Sequence, residues 1–192
     1  MKSKYLVYVM VFAALLATAA LTGNASAQET HTGTKTALDF DSYACGTHLF
    51  KIAKSDNKNV LFYDAVIKNG KLDSKNPVDI YWIMYAEKNQ REGMTILEKP
   101  QFGIITKEIA SGKEYVINVK NDILAKRDIR VFTDNNGCAR ATAVIDGKDA
   151  LIQDIFINIK PGGGLIPKVE SLDLHGIAMA DQSNLSERVY NK

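Results

Sequence analysis

The sequence predicts an all-β fold, mainly antiparallel, as a small β-barrel or a two-sheet sandwich of about eight strands with one short helix. Short runs rich in Val, Ile, Tyr and Phe follow one another from residue 47 onward, and these residue types suit a pleated sheet. Asn-Gly and Asp-Gly pairs between the runs supply the positive φ angles of tight hairpin turns. Most connections are too short for a crossover helix, so neighbouring strands are expected to run antiparallel.

Eight runs are expected to form the strands. They are Thr47–Ala53, Asn59–Ile67, Val78–Ala86, Glu114–Val119, Asp128–Thr133, Ala139–Ile145, Ala150–Ile159 and Lys168–Leu174. Asp146-Gly147 is the strongest turn signal, because apolar residues flank it on both sides. Short strands must hide their edges, and closure is the most complete way to do so, which favours a closed or nearly closed barrel.

One segment breaks the β pattern. Asn89–Lys99 has the composition of a short helix, which Pro100 is expected to end, although Gly93 argues against a stable helix here. The run Val78–Ala86 is apolar on both faces. Its outer face is therefore expected to be covered by the helix or by the polar leader of residues 28–46, or else the strand lines an internal cavity.

The first 27 residues have the three parts of a secretory signal. Lys2 and Lys4 precede an apolar run from Tyr5 to Leu21, and Ala25-Ser26-Ala27 supplies the small residues that a signal peptidase requires. The alternative is an uncleaved membrane anchor. The run is shorter than the ~20 apolar residues that span a bilayer, so cleavage is the favoured interpretation.

Cleavage between Ala27 and Gln28 removes 27 of the 192 residues and leaves 165. Residues 28–46 are then a polar leader, and residues 47–192 form a single β-rich domain, a length that fits one core. The protein is expected to be exported and to work in the periplasm or outside the cell, with no membrane span after signal removal.

The mature chain is expected to be electrically neutral. The whole chain has a formal net charge of +2, and the signal carries two lysines and no acidic residue. A neutral domain has no general electrostatic attraction for nucleic acid or for an anionic membrane. The partners that remain are a small apolar ligand or a protein of the cell envelope.

Two cysteines, Cys45 and Cys138, lie in the mature part. In an oxidising compartment they can form one disulfide, and the alternative is a pair of buried free thiols. Cys45 also lies three residues before His48. Residues at that spacing on an extended strand point to opposite faces, which makes a poor nucleophile and base pair.

Aromatic residues form the most suggestive group for ligand binding. Trp82, Tyr81 and Tyr85 belong to one predicted strand, and Phe62 belongs to its expected hairpin neighbour. Packing of aromatic pairs across neighbouring strands explains them as ordinary core residues. The alternative is that these four residues line a cavity for a small ligand, as in ligand-carrying barrels.

No catalytic or metal-binding motif stands out, and no cofactor is predicted. The histidines show no ligand spacing such as His-x-x-x-His, and there is no Cys-x-x-Cys. A site built in space from His48, Asp173 and His175 is conceivable, but hydrogen-bonded strand histidines explain these residues more simply. No Gly-x-Ser-x-Gly nucleophile motif is present.

Several blocks resemble a family of bacterial domains of unknown function, DUF4833-like, that is often carried on exported proteins. They are Asn76–Ile83, Tyr85–Glu87, Arg91-Glu92, Phe102–Ile104, Pro167–Glu170, Leu172–Gly176 and Glu187-Arg188. Gln101 departs from the pattern, since an aromatic residue often precedes the Phe-Gly pair in such families. The resemblance covers about Thr47 to Arg188 and implies one compact domain. The family has no assigned activity, so the resemblance transfers no functional residue.

The expected function is that of a non-enzymatic binding domain outside the cytoplasm, for a small apolar ligand or a protein partner. A second hypothesis is a structural or interaction protein of the cell envelope without a ligand cavity. A third is a hydrolase-type enzyme that has no recognisable motif.

We expect the exported protein to begin at Gln28, because Ala25-Ser26-Ala27 follows the apolar run at the position that signal peptidase cleaves. The intact mass of the exported protein checks this. An exported species that still carries Met1 would contradict the prediction.

Overall fold

The computed structural model describes residues 45–160 and 168–191. The cleavage site between Ala27 and Gln28 and the leader as far as residue 44 lie outside the described residues. Apart from one four-residue helix, the regular elements of the described chain are all β-strands, and all but one of the strand pairs are antiparallel. The predicted all-β, mainly antiparallel class is therefore confirmed.

The strands succeed one another with short connections. In chain order they are β1 His48–Lys54, β2 Val60–Ala65, β3 Ile67–Lys68, β4 Lys71–Leu72, β5 Val78–Met84, β6 Gln90–Gly93, helix α1 Lys99–Phe102, β7 Ile104–Ala110, β8 Glu114–Val119, β9 Ile129–Thr133, β10 Ala139–Ile145, β11 Lys148–Lys160, β12 Lys168–Ala178 and β13 Asn184–Tyr190. Each of the eight predicted runs overlaps a strand. Asp146 and Gly147 form the β10–β11 hairpin turn with φ angles of 50° and 73°, as expected.

The helix predicted over Asn89–Lys99 is wrong. Gln90–Gly93 is strand β6, which pairs antiparallel with β5 after a turn in which Lys88 and Asn89 have positive φ angles. The helix begins at Lys99, where the sequence predicts its end. Pro100 occupies the first turn, where a missing N–H group costs nothing because that group has no acceptor within the helix.

One long strand, β11, is shared by two arms of the main sheet. One of its edges pairs with β10 through residues 148–151 and then with β1 through residues 154–157. Its opposite edge pairs with β12, which in turn pairs with β13, and we call β11, β12 and β13 the shared strands. The β1 arm continues through β2 and β5 to β6, and the β10 arm continues through β9 and β8 to β7.

The main sheet curls into a half-barrel, and a two-stranded hairpin of β3 and β4 forms a small second sheet. Strands β6 and β7, at the two ends of the arms, do not pair with each other in the described part of the chain. The sheet thus remains open, in contrast to the closure expected from the strand count. Among the described residues, no helix is long and apolar enough to cross a membrane.

The disulfide between Cys45 and Cys138 is confirmed, with a Cα–Cα distance of 5.1 Å and a sequence separation of 93. Cys45 precedes β1 and Cys138 precedes β10, so the bond joins the two arms where they leave β11. The backbone N–H of Ala139 donates to the carbonyl oxygen of Gly46 at 3.2 Å beside it. The alternative of two buried free thiols is therefore excluded.

A buried ion pair fixes the loop that carries Cys138. The guanidinium Nε of Arg140 donates to Oδ2 of Asp134 at 2.9 Å, and both side chains are 6% exposed. The other carboxylate oxygen of Asp134 accepts the backbone N–H groups of Asn136 and Cys138. Because the carboxylate is satisfied on both oxygens, the loop holds the cysteine in place for its partner.

The inner faces of both arms share one hydrophobic core. Its fully buried members come from the β1 arm, the β10 arm and the shared strands, and they include Phe50, Ile52, Leu61, Tyr63, Ile117, Ile129, Ile155, Leu172 and Leu174. The alternation of buried and partly buried residues in β2 and β8 is the period-two pattern of strands with one face in a core.

Gly176 of β12 faces a site with no room for a side chain. A Cβ there would lie 2.7 Å from both Ile145 Cδ1 and the carbonyl oxygen of Leu151. We expect Gly176→Ala to lower the free energy of unfolding by about 1–3 kcal/mol, because the backbone would have to move. Urea denaturation measures the change. Gly93→Ala is the control, since nothing lies within 4 Å of its Cβ position. Equal midpoints for the two variants would contradict this account.

Candidate functional site

A cleft with a volume of about 700 Å³ opens at one end of the half-barrel, and we call it the end cleft. It lies where β1, β8, β11 and β13 end and where β12 begins. Its lining comprises Lys54, Asp56, Pro100, Gln101, Phe102, Lys120, Asn121, Asp122, Ile157, Ile159, Lys160, Lys168, Val169, Glu170, Tyr190 and Asn191. The lining residues come from both arms and from the shared strands, so only the folded chain forms the cleft.

The floor of the end cleft is apolar. Phe102 and Ile157 belong to the buried core, and Ile159 and Val169 pack against that core while keeping part of their surface exposed. Apolar surface that remains accessible in a concave site is available to the apolar part of a ligand.

Helix α1 is anchored so that Phe102 stays in the floor. The buried hydroxyl of Tyr63 donates to the carbonyl oxygen of Phe102 at 2.7 Å, and burial raises the pKa of Tyr63. The backbone N–H of Lys120 donates to the carbonyl oxygen of Gly103 at 2.8 Å. Strand β2 and the residue that follows β8 thus hold the helix from opposite arms.

Four lysines stand around the opening, and we call Lys54, Lys120, Lys160 and Lys168 the lysine quartet. Among the described residues, Lys68 is the only lysine that forms an ion pair, and its partner is Asp73. No member of the quartet therefore has a carboxylate within ion-pair distance. The ammonium Nζ of Lys54 lies instead 5.1 Å from the ring centroid of Trp82 and 5.9 Å from that of Phe102.

Trp82, one of the four predicted ligand-lining residues, lies next to the end cleft but not in its wall. Its side chain is 5% exposed, and its ring meets that of Phe102 edge to face, with centroids 5.8 Å apart. In the described structure the indole Nε1–H has no hydrogen-bond acceptor. Trp82 therefore contacts two lining residues, Lys54 and Phe102. A ligand that touches these residues would change the surroundings of the indole ring.

The structure does not bring the four predicted ligand-lining residues together. Tyr81 and Phe62 lie on the outer face of the sheet, opposite to Trp82, with parallel rings whose centroids are 5.7 Å apart. Tyr85 follows the last residue of β5 and is 48% exposed. Neighbouring residues of a strand point to opposite faces, so Tyr81 and Trp82 cannot line one cavity.

A polar network surrounds Tyr81 on this outer face. Its hydroxyl donates to Oδ2 of Asp64 at 2.7 Å, and Nδ1 of His48 lies 2.9 Å from the other oxygen of that carboxylate. The guanidinium carbon of Arg91 lies 3.6 Å from the centroid of the Tyr81 ring, and Arg91 also pairs with Asp79. Desolvation of the phenol, with the hydrogen bond to Asp64, raises the pKa of Tyr81 to about 12.

The histidines of the suggested metal site are used in separate contacts. His48 reaches Asp64, whereas His175 Nδ1 lies 2.7 Å from Oδ1 of Asp154. Asp173 instead accepts two hydrogen bonds from Arg188, which lower the pKa of Asp173. Across residues 45–160 and 168–191, no group of three or more His, Cys, Asp or Glu residues could hold a metal ion.

The sequence interpretation missed the lysine quartet. Lys54 and Lys160 are the last residues of their strands, Lys168 is the first residue of β12, and Lys120 follows the last residue of β8. The sequence does show a lysine at one boundary of each of four predicted strands. Recognising that the four boundaries meet required the strand directions, which depend on the parallel pairing of β1 with β11.

We expect Tyr81 to contribute to the alkaline unfolding of the protein. The phenol has a pKa of about 10 in an unfolded chain and about 12 in the folded one. Its stabilising effect is complete below about pH 10 and disappears as the pH rises through about 12. Tyr81→Phe should therefore lose less stability than the wild type over this range in denaturation measured at several pH values. Tyr85→Phe, at an exposed ring, is the control, and identical pH profiles for wild type and Tyr81→Phe would refute the assignment.

Comparison with known proteins supplies a family but no function. No curated protein and no solved structure matches this chain. The family model that describes a domain of unknown function, DUF4833, matches residues 50–188. This match spans β1 to β13, including both arms, the shared strands and most of the lining of the end cleft, and it confirms the resemblance read from the sequence. The chain therefore belongs to the DUF4833 family.

Proposed function

We propose that this domain is a non-enzymatic binding domain that works outside the cytoplasm and takes a small ligand with an apolar body into the end cleft. The observation that carries the proposal is the cleft itself, about 700 Å³ in volume with an apolar floor. Sites for small molecules are concave, mostly preformed and ~300–1,000 Å³ in volume.

The anchoring of helix α1 supports a preformed site. Phe102 is held through the backbone contacts of its helix with Tyr63 and Lys120, from two different arms. A floor fixed in this way needs little reorganisation when a ligand enters, and low reorganisation favours binding.

Two features support the location outside the cytoplasm. The Cys45–Cys138 disulfide is of the kind that persists in oxidising compartments. The first 27 residues carry the charge, the apolar run and the small residues of an export signal.

A second candidate function is that of an interaction protein of the cell envelope, and one feature favours it. Ile96 and Leu97 are 83% and 86% exposed, side by side in one turn. The carboxylate of Glu98 accepts hydrogen bonds from the backbone N–H and the hydroxyl of Thr95, so this turn is ordered. Two adjacent aliphatic side chains held in solvent offer an apolar spot that a protein partner would cover.

Tryptophan fluorescence tests the binding function, because Trp82 is the only tryptophan of the chain and contacts two lining residues. We expect ten-carbon amphiphiles to change its emission in a saturable way when titrated into the exported protein. Val169→Phe, which fills part of the floor, should weaken this binding about tenfold, the equivalent of ~1.4 kcal/mol. Val144→Phe places the same ring on an exposed site of β10 outside the cleft and should bind as the wild type does.

The absence of any saturable change with every amphiphile would contradict the binding function. Loss of binding in Val169→Phe without a change in its thermal unfolding would support it. Equal loss in Val144→Phe would show that the probes bind elsewhere on the sheet.

A further inference from the structure

The positive charges of the lysine quartet favour the binding of an anion in the end cleft. Its members come from β1, the segment after β8, the end of β11 and the start of β12. Four ammonium groups around one opening repel one another, and in the described structure none has a carboxylate partner. An anion at the centre of the opening would relieve this repulsion, and lysine binds carboxylate and phosphate groups as a point charge.

Carboxylates in the same lining limit how much negative charge the cleft accepts. Asp56, Asp122 and Glu170 also line it, so four lysines and three carboxylates leave a net formal charge of +1. A polyanion would bring additional charges close to these carboxylates at an energetic cost. One singly charged group matches the net charge of the lining.

Lys54 stands where the charged opening meets the apolar floor. It is the last residue of β1, it is partly buried, and its ammonium faces the rings of Trp82 and Phe102. A cation–π contact leaves an ammonium group free to pair with an anion on its other side. A ligand whose head group pairs with Lys54 would place its body over Phe102 and Ile157.

We infer that the ligand of the end cleft is a single-chain amphiphile with a singly charged anionic head group, a carboxylate, held by the lysine quartet. This inference rests on the proposed binding function and adds the chemistry of the head group. The opening and the floor of the cleft then have separate roles. The lysines at the opening select the charge of the head group, and the apolar floor accepts the alkyl chain.

Four probes that share a ten-carbon alkyl chain separate selection of the head group from binding of the alkyl chain. Calorimetric titration of the exported protein at pH 7 with decanoate, decyl phosphate, 1-decanol and decyltrimethylammonium gives the comparison, and acetate reports the head group alone. We expect decanoate to bind about tenfold or more tightly than decanol and decyltrimethylammonium, and more tightly than decyl phosphate. Binding of decanoate should weaken as salt is added.

Lysine variants locate the selection. Lys120→Gln and Lys54→Gln should each weaken decanoate binding several-fold and weaken decanol binding by a smaller factor, with thermal unfolding as the check on folding. Lys107→Gln removes an exposed lysine of β7 that does not line the cleft, and it should bind decanoate as the wild type does.

The possible failures point to different conclusions. Equal affinities for decanoate and decanol would overturn the head-group inference and leave the binding function standing. Tighter binding of decyl phosphate than of decanoate would overturn the preference for a single charge. Binding of acetate as tight as that of decanoate would show a simple anion site and overturn the amphiphile. Failure of every ten-carbon probe to bind would contradict the proposed function itself.

Discussion

The architecture depends on how β11 divides one of its edges between two strands. The first part of that edge pairs with β10 in a tight hairpin, and the later part pairs with β1, which arrives from the start of the domain. Two strands cannot occupy the same edge without diverging, so the arms that they begin separate from there. The Cys45–Cys138 bond and the Asp134–Arg140 ion pair lie at this divergence and hold it together.

The end cleft follows from the same pairing. Because β1 and β11 run parallel, their last residues, Lys54 and Lys160, reach the same end of the sheet, and β12 returns from that end beginning with Lys168. An antiparallel pairing of β1 would have placed Lys54 at the far end. The concentration of charge around the opening is thus a property of the topology, since no local motif contains it.

Inner strands were predictable from the sequence and edge strands were not. Runs such as Ala139–Ile145 carry β-branched and apolar residues because both neighbours and the core select for them. Strand β6 has four exposed residues and no large apolar side chain, and β13 alternates exposed residues with partly buried ones. An edge strand needs only a partner on one side, so its composition is that of a loop or helix surface. The helix predicted over Asn89–Lys99 failed for this reason.

The candidate site likewise has features that the sequence predicts and features that it does not. The disulfide was one of only two outcomes for the cysteines in the sequence analysis, because two cysteines form either one bond or a pair of free thiols. The four aromatic residues stand out as a group in the sequence, but neighbouring side chains of a strand point to opposite faces, which separates Trp82 from Tyr81 and Phe62. The lysine quartet combines Lys54 with Lys160 and Lys168, which lie more than a hundred positions later in the chain. No periodic pattern within a single segment indicates that such distant residues lie close together.

The parallel partner of β1 also sets the order in which this chain can be completed. Lys51 pairs with Asp154, so the second edge of β1 stays unfilled until the chain has been made as far as β11. Contacts of such long range slow folding, since the intervening chain must be ordered first. Until β11 arrives, β1 offers a free edge of the kind that joins other chains. Cys45 likewise has to wait for Cys138, 93 positions later in the chain, before the disulfide can form.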